Sequence, residues 1–157
     1  MSKKKIIISS SDNNYFFLIK ELHLSLKNKG VLDEYDFAIL DTGLKEKQKN
    51  YFKDHNVLIK SAEWNVEVPK YKILGRENLK TQVARAFLPD YFDNYKVYVW
   101  LDADMWLNDI ESFYFYEKGA LNDKLTIVPQ SDRAYIKNAN VEWLFGFPKK
   151  IKTINYK

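Results

Sequence analysis

The chain has 157 residues, 46% hydrophobic and 29% charged, with a formal net charge of +4. That is an ordinary globular composition, large enough for one domain with a real core, and so modest a charge calls for no nucleic-acid partner. With no cysteine there are neither disulfides nor thiolate metal sites, and no apolar stretch approaches a membrane span.

The first residues are basic, but Ile6-Ile7-Ile8 is too short for a signal-peptide core. Being β-branched, it predicts a first strand over 5–9. Residues 9–14 follow as a loop rich in helix N-cap types. From Tyr15, apolar residues recur at helical spacing through Leu18, Ile19, Leu22 and Leu26, and Gly30 stands where a C-cap glycine belongs. A second strand over 35–40 ends in the turn Asp41-Thr42-Gly43. Residues 44–54 place Leu44, Gln48, Tyr51 and Phe52 on one side of a surface helix. A third short strand covers 57–60. The stretch 61–75, with Trp64 and Pro69, has no period and predicts a long loop of the kind that is usually functional or mobile. Helical patterning returns over 77–86, and 88–92 marks a helix end or a second short helix. Residues 109–118 form a helix started by Asn108 or Asp109. Residues 125–129 form a further strand, and nothing after Ser131 has a period. Strands alternating with helices predict an α/β fold with a mostly parallel sheet and flanking helices, in one domain over 1–157.

The most informative stretch is 96–108. Val97-Tyr98-Val99-Trp100-Leu101 is unbroken and apolar, which predicts a strand buried on both faces and central in the sheet. Asp102-Ala103-Asp104 follows at its carboxyl end, where such sheets bind ligands. If the backbone stays extended, the two carboxylates point the same way, about 6.6 Å apart, and one hard cation can take oxygens from both. A turn or a helix cap is the bland alternative. Like charges held together are costly without something positive between them, and that favours the metal. Arg85 is open between a phosphate-binding fork and a structural ion pair, and Asp12 between a ligand contact and a helix cap. Trp106 and Trp143 read as packing residues rather than sugar platforms. His23 and His55 are too few and too scattered for a zinc motif.

Three of these segments together resemble the N-terminal, nucleotide-sugar-binding half of a GT-A glycosyltransferase, most of all glycosyltransferase family 8. They are the loop Ser11-Asp12-Asn13-Asn14-Tyr15 after a strand, the helical Lys80-Thr81-Gln82-Val83-Ala84-Arg85, and Asp102-Ala103-Asp104, 17 positions beyond Arg85. The resemblance implies a GT-A, Rossmann-like fold, a nucleotide-diphosphate sugar donor (a UDP-sugar foremost), a saccharide or glycoconjugate acceptor, and Mn²⁺ or Mg²⁺. It implies that Asp102 and Asp104 hold the metal, with Asp102 and Ala103 also near the donor. Arg85 would face the diphosphate or donor sugar, and Asp12, Asn13 and Tyr15 the base or ribose.

The family usually draws a metal-binding His and much of its acceptor site from a C-terminal half, whereas here no His follows His55. A chain truncated at its C-terminus, binding donor better than it transfers sugar, is therefore expected. The alternative outside catalysis is a GT-A-like module that binds nucleotide and transfers nothing. A haloacid-dehalogenase-type phosphatase also uses Asp-x-Asp at a strand end, but normally on its first strand. An EF-hand loop fails, because Leu107 and Phe113 stand where it needs Gly and Glu. Four lysines and no acid follow Glu142. That tail allows weak contact with an inner membrane face, though such tails are more often simply solvated. The expected compartment is cytoplasmic.

Overall fold

The computed structural model describes residues 5–121, 124–127, 139–144 and 147–153, the last two stretches by backbone alone. It divides into two compact units, Met1–Lys124 and Leu125–Lys157. One domain over 1–157 stays an expectation.

The first unit is built on an all-parallel sheet. Its strands are β1 (Lys5–Asp12), β2 (Asp36–Gly43), β3 (Leu58–Ser61) and β4 (Val97–Trp100), in the order β3-β2-β1-β4. Helix α1 (Phe16–Asn28) joins β1 to β2, and α2 (Glu46–Lys53) joins β2 to β3. The return to β4 passes through α3 (Lys70–Ile73), α4 (Lys80–Ala84) and α5 (Leu88–Tyr91), and α6 (Ile110–Ala120) follows β4. This is an α/β, Rossmann-like arrangement.

Period-two alternation explains how the sheet is covered on both faces. Ile7, Phe37 and Ile39 pack with Ile19, Leu22, Leu26 and Phe52 from α1 and α2. Ile6, Ile8, Ala38 and Leu40 face the opposite way, onto Ala84, Leu88, Tyr91 and Phe92. Ile6, Ile7 and Ile8 are all fully buried, and each such side chain contributes roughly 1.5–3 kcal/mol. Helix α6 is tied on by Phe113 against the Tyr35 ring and by the Lys5–Glu117 ion pair. Gly30 closes α1 at φ 74°, the left-handed conformation that glycine adopts without strain.

Several expectations are corrected. Among the described residues β4 is an edge strand, not a central one: it pairs only with β1, and Tyr98, Val99 and Trp100 are half-buried. An apolar run reports cover on two faces, not neighbours on two edges. Val99 leans on one core, and Tyr98 and Trp100 on the other. Residues 10–12, expected as loop, extend β1, because Ser10 and Ser11 continue the pairing of Ser9, meeting Leu40 and Asp41. The helix expected over 77–86 is broken by 3₁₀ turns at Glu77–Leu79 and Arg85–Phe87, with Pro89 starting α5. Residues 124–127 have no regular structure, and the rest of the strand expected over 125–129 lies outside the described residues. The second unit instead carries an antiparallel pair, β5 (Ala139–Leu144) and β6 (Phe147–Thr153), in the region without a sequence period.

Candidate functional site

The chain leaves β1 toward β2 and β3, then returns to β4 on the other side of β1. The carboxyl ends of β1 and β4 therefore flank the point where strand order reverses, the place where a crevice opens in open α/β sheets. A pocket of about 250 Å³ lies there. Ser10, Ser11 and Asp12 line it from the end of β1, and Asp102, Ala103 and Asp104 from the segment after β4. Tyr15 and Thr42 border it, and Asn78, Thr81, Gln82 and Arg85 close it from the helical return.

The carboxylate pair is not extended. Strand geometry stops at Trp100, and the Met105 N–H donates to the Asp102 carbonyl at 3.0 Å, closing a turn. The turn tucks Ala103 inside and leaves Asp102 and Asp104 exposed. Both still line one pocket, so the turn and the ligand crevice coexist. The side chain of Asp104 has no hydrogen-bond or ion-pair partner among the described residues.

Arg85 comes to this pair. Its Nη2 donates to Asp102 Oδ1 at 2.6 Å, with the two side chains 36% and 51% exposed. The Trp100 indole N–H donates to the same oxygen at 2.8 Å. The guanidinium carbon lies 4.6 Å from the Trp100 ring centroid, a cation–π contact. Asp12 does not cap α1, whose N-cap position is Tyr15 with no side-chain cap bond; its Oδ1 instead closes the turn before the helix, accepting from the N–H groups of Asn14 (2.8 Å) and Tyr15 (3.0 Å), and the residue lines the pocket. Tyr15 is 51% exposed at the rim.

Asn13 is not brought in. Its N–H donates to the Gly43 carbonyl, and its side-chain oxygen accepts from Gln48 of α2 at 3.2 Å. Trp106, expected to pack, is 65% exposed two positions beyond Asp104, while the side chain of Trp143 lies outside the described residues. Ser11 belongs to the loop already singled out, whereas Ser10, Thr42 and Asn78 carry no sequence signal that separates them from other polar residues near strand and helix ends. Thr81 and Gln82 sit in a segment already singled out, although the Thr81 hydroxyl donates to the Asn78 carbonyl at 2.8 Å. Trp100 was visible only as part of an apolar strand.

The donor set can be tested against a metal. Among the described residues no three His, Cys, Asp or Glu side chains cluster. Two carboxylates without a third protein ligand do not make a closed cage. They do suit a hard cation that completes its coordination with water and substrate phosphates, as Mg²⁺ commonly does. The His23 and His55 rings, distant in sequence, are 5.8 Å apart, but they belong to the aromatic packing of α1 and α2.

A larger hollow, about 400 Å³, lies where β3 ends beside α5, lined by Lys60, Ser61, Glu63, Asn65, Asp90 and Tyr91. Its phenol already accepts from the Glu63 N–H at 3.0 Å and donates to Asn65 at 2.8 Å. The smaller pocket, with open carboxylate oxygens at the strand-order reversal, has the richer chemistry.

No family model matches the chain, and no curated protein matches it. Solved structures do. The chain is similar to the galactosyltransferase LgtC in complex with donor and acceptor sugar analogues, at 20% identity and a TM-score of 0.50, over 69% of this chain and 41% of that one. It is similar to the apo form of the bifunctional glycosyltransferase WbbM at 18% identity and a TM-score of 0.51, over 73% of this chain and 21% of that one. The chain thus spans at most about two fifths of these structures. The likeness is one of fold, and that fold is the GT-A arrangement.

Proposed function

We propose that this chain is the donor-binding part of a metal-dependent glycosyltransferase similar to family 8, taking a nucleotide-diphosphate sugar, a UDP-sugar foremost. The observation that carries the proposal is the pocket at the strand-order reversal, with Asp102, Asp104 and Arg85 on one wall and Asp12 and Tyr15 on another. Asp102 and Asp104 would hold Mn²⁺ or Mg²⁺. When bound, such a cation neutralises charge developing on a departing diphosphate. Arg85 supplies donors in a fork matched to phosphate oxygens. The exposed ring of Tyr15 gives a base or ribose an apolar surface, and Asp12 an acceptor for a hydroxyl or N–H. The transferred group would be a hexose and its acceptor a saccharide or glycoconjugate.

Thermal denaturation with UDP, with and without Mn²⁺, tests this. A metal-dependent rise in melting temperature is expected, and its absence for UDP and other nucleoside diphosphates alike would overturn the proposal. A second reading draws on the two-carboxylate donor set: the isolated chain holds donor but transfers little. Holding an acceptor in line with the reacting carbon is worth roughly 7–11 kcal/mol of barrier. Nucleotide release from UDP-sugars, with and without saccharides, separates the two. Acceptor-independent hydrolysis favours the second reading and acceptor-dependent turnover removes it. The phosphatase alternative draws no support from the topology, because the Asp pair follows the fourth strand rather than the first.

A further inference from the structure

We infer that Trp100 is a positioning residue of this site, setting Asp102 and Arg85 together; the inference rests on the donor-binding proposal. Its indole N–H fixes Asp102 Oδ1 at 2.8 Å, and its ring face carries the Arg85 guanidinium at 4.6 Å. Arg85 Nη2 reaches the same Oδ1 at 2.6 Å. Two donors converging on one oxygen fix the rotation of the carboxylate and leave Oδ2 as the oxygen turned to a ligand.

Arg85 needs this support. Its Nε–H is closed off from solvent and has no acceptor among the described residues. Among the described residues the polar hold on its head is the contact with Asp102, and the Trp100 ring supplies a flat seat beneath it. Trp100 is held at its base, since it lies in β4 opposite Ile8 of the fully buried β1 run and packs with the core under α4 and α5. A phenylalanine there would keep a ring for Arg85 but offer no N–H to Asp102. An aliphatic residue would offer neither. The carboxylate and the guanidinium would then choose their rotamers independently, and a site that needs both in place would be assembled less often.

The test combines binding with a spectroscopic signature. Trp100→Phe should weaken Mn²⁺ binding in the presence of UDP about tenfold by calorimetric titration, the scale of lost support around a metal ligand, and weaken metal-free UDP binding by less than that. Trp100→Leu should weaken both. In the ¹⁵N-correlated spectrum of the ligand-free wild type, the indole peak missing from Trp100→Phe identifies Trp100. Asp102→Ala, an exposed change that leaves the core intact, should move that peak and leave that of Trp64 in place. A wild type that binds neither Mn²⁺ nor UDP overturns the donor proposal and the positioning role together. A wild type that binds, while Trp100→Phe matches it within about twofold or the indole peak ignores Asp102→Ala, overturns the positioning role alone.

Discussion

Asp41 and Asp102 both stand near the carboxyl end of a parallel strand in one sheet, and the chain uses them in opposite ways. Asp41 is 9% exposed. Its Oδ1 accepts from the N–H groups of Gly43 (2.8 Å) and Leu44 (2.6 Å), and its Oδ2 pairs with Lys49 at 2.9 Å. Burial pushes its pKa up, but the bonds from Leu44, Lys49 and Gly43 outweigh burial and hold it below the ordinary carboxylate range. Asp102 is half exposed, with one oxygen held by Arg85 and Trp100, and its neighbour Asp104 is exposed without a partner among the described residues. A saturated carboxylate closes a turn. An unsaturated pair at a crevice keeps acceptor capacity for a ligand.

The largest expected effect lies on the unsaturated pair. With UDP and Mn²⁺ present at a hundredfold excess over Kd, mass action adds about 2.7 kcal/mol to the folded state. The double change Asp102→Asn, Asp104→Asn should remove nearly all of it, read as the ligand-induced shift in melting temperature. An equal shift in the variant would erase the distinction between the two aspartates.

Asp41→Ala should act in the other direction. It removes hydrogen bonds to a charged group that satisfy two backbone N–H groups, a loss of roughly 2 kcal/mol of stability. Urea unfolding should show a lower midpoint at unchanged slope. Correctly folded protein should still gain stability from UDP with Mn²⁺, because Asp41 is not in the pocket lining.

This contrast also marks how far the residues can be read without a structure. Each aspartate follows an apolar strand, and only the second carboxylate at 104 sets Asp102-Ala103-Asp104 apart from Asp41-Thr42-Gly43. The α/β class was legible because short unbroken apolar or β-branched runs alternate with segments of helical period along 5–120. The edge position of β4 was not, because face burial and edge pairing leave the same apolar run. Asn13 was grouped with Asp12 and Tyr15 by the family resemblance of the loop, but a register shift between Ser11 and Asp12 lies just before it, and its side chain meets Gln48, 35 positions away. The strand β6 was missed because Lys149, Lys150 and Lys152 interrupt any simple alternation, whereas β5 alternates Ala139, Val141 and Trp143 with Asn140 and Glu142 over too few residues to stand out.

A pH titration separates the buried group types. His23 is 2% exposed, its ring faces Phe37 and Phe52, and its Nδ1 has no partner among the described residues. Burial, then the charges of His55 and Lys27, hold its pKa down to about 4 from 6.5. The unfolded chain takes up this proton near pH 6.5 and the folded chain only near 4. Stability therefore falls as pH drops through that window and levels off below it. Asp41, depressed below 3.8, contributes stability above that value and loses it as pH falls further through its folded pKa. Acid destabilisation should come in two steps. Replacing His23 with Gln should flatten the first and leave the second. Between about pH 7 and 6 the first step stays under about 1.4 kcal/mol, the limit for one proton per pH unit.

The smallest effect carries the sharpest sign. Asp104→Asn in the ligand-free chain should leave stability unchanged or raise it by up to about 0.5 kcal/mol. The carboxylate at 104 has no partner to lose among the described residues, and its charge stands beside that of Asp102. Asp102→Asn should cost more, though under about 1 kcal/mol, since a solvent-exposed ion pair with Arg85 is worth little. The matching change at 41 keeps the shape of the side chain but loses the charge that Lys49 meets, so Asp41→Asn should destabilise by more than either. A residue whose neutralisation helps the fold while abolishing a ligand response is retained for binding rather than for structure. Urea midpoints for the three Asn variants, measured without ligand, decide it. If Asp104→Asn falls as far as Asp41→Asn, Asp104 is a structural carboxylate, and the two strand ends are the same kind of place.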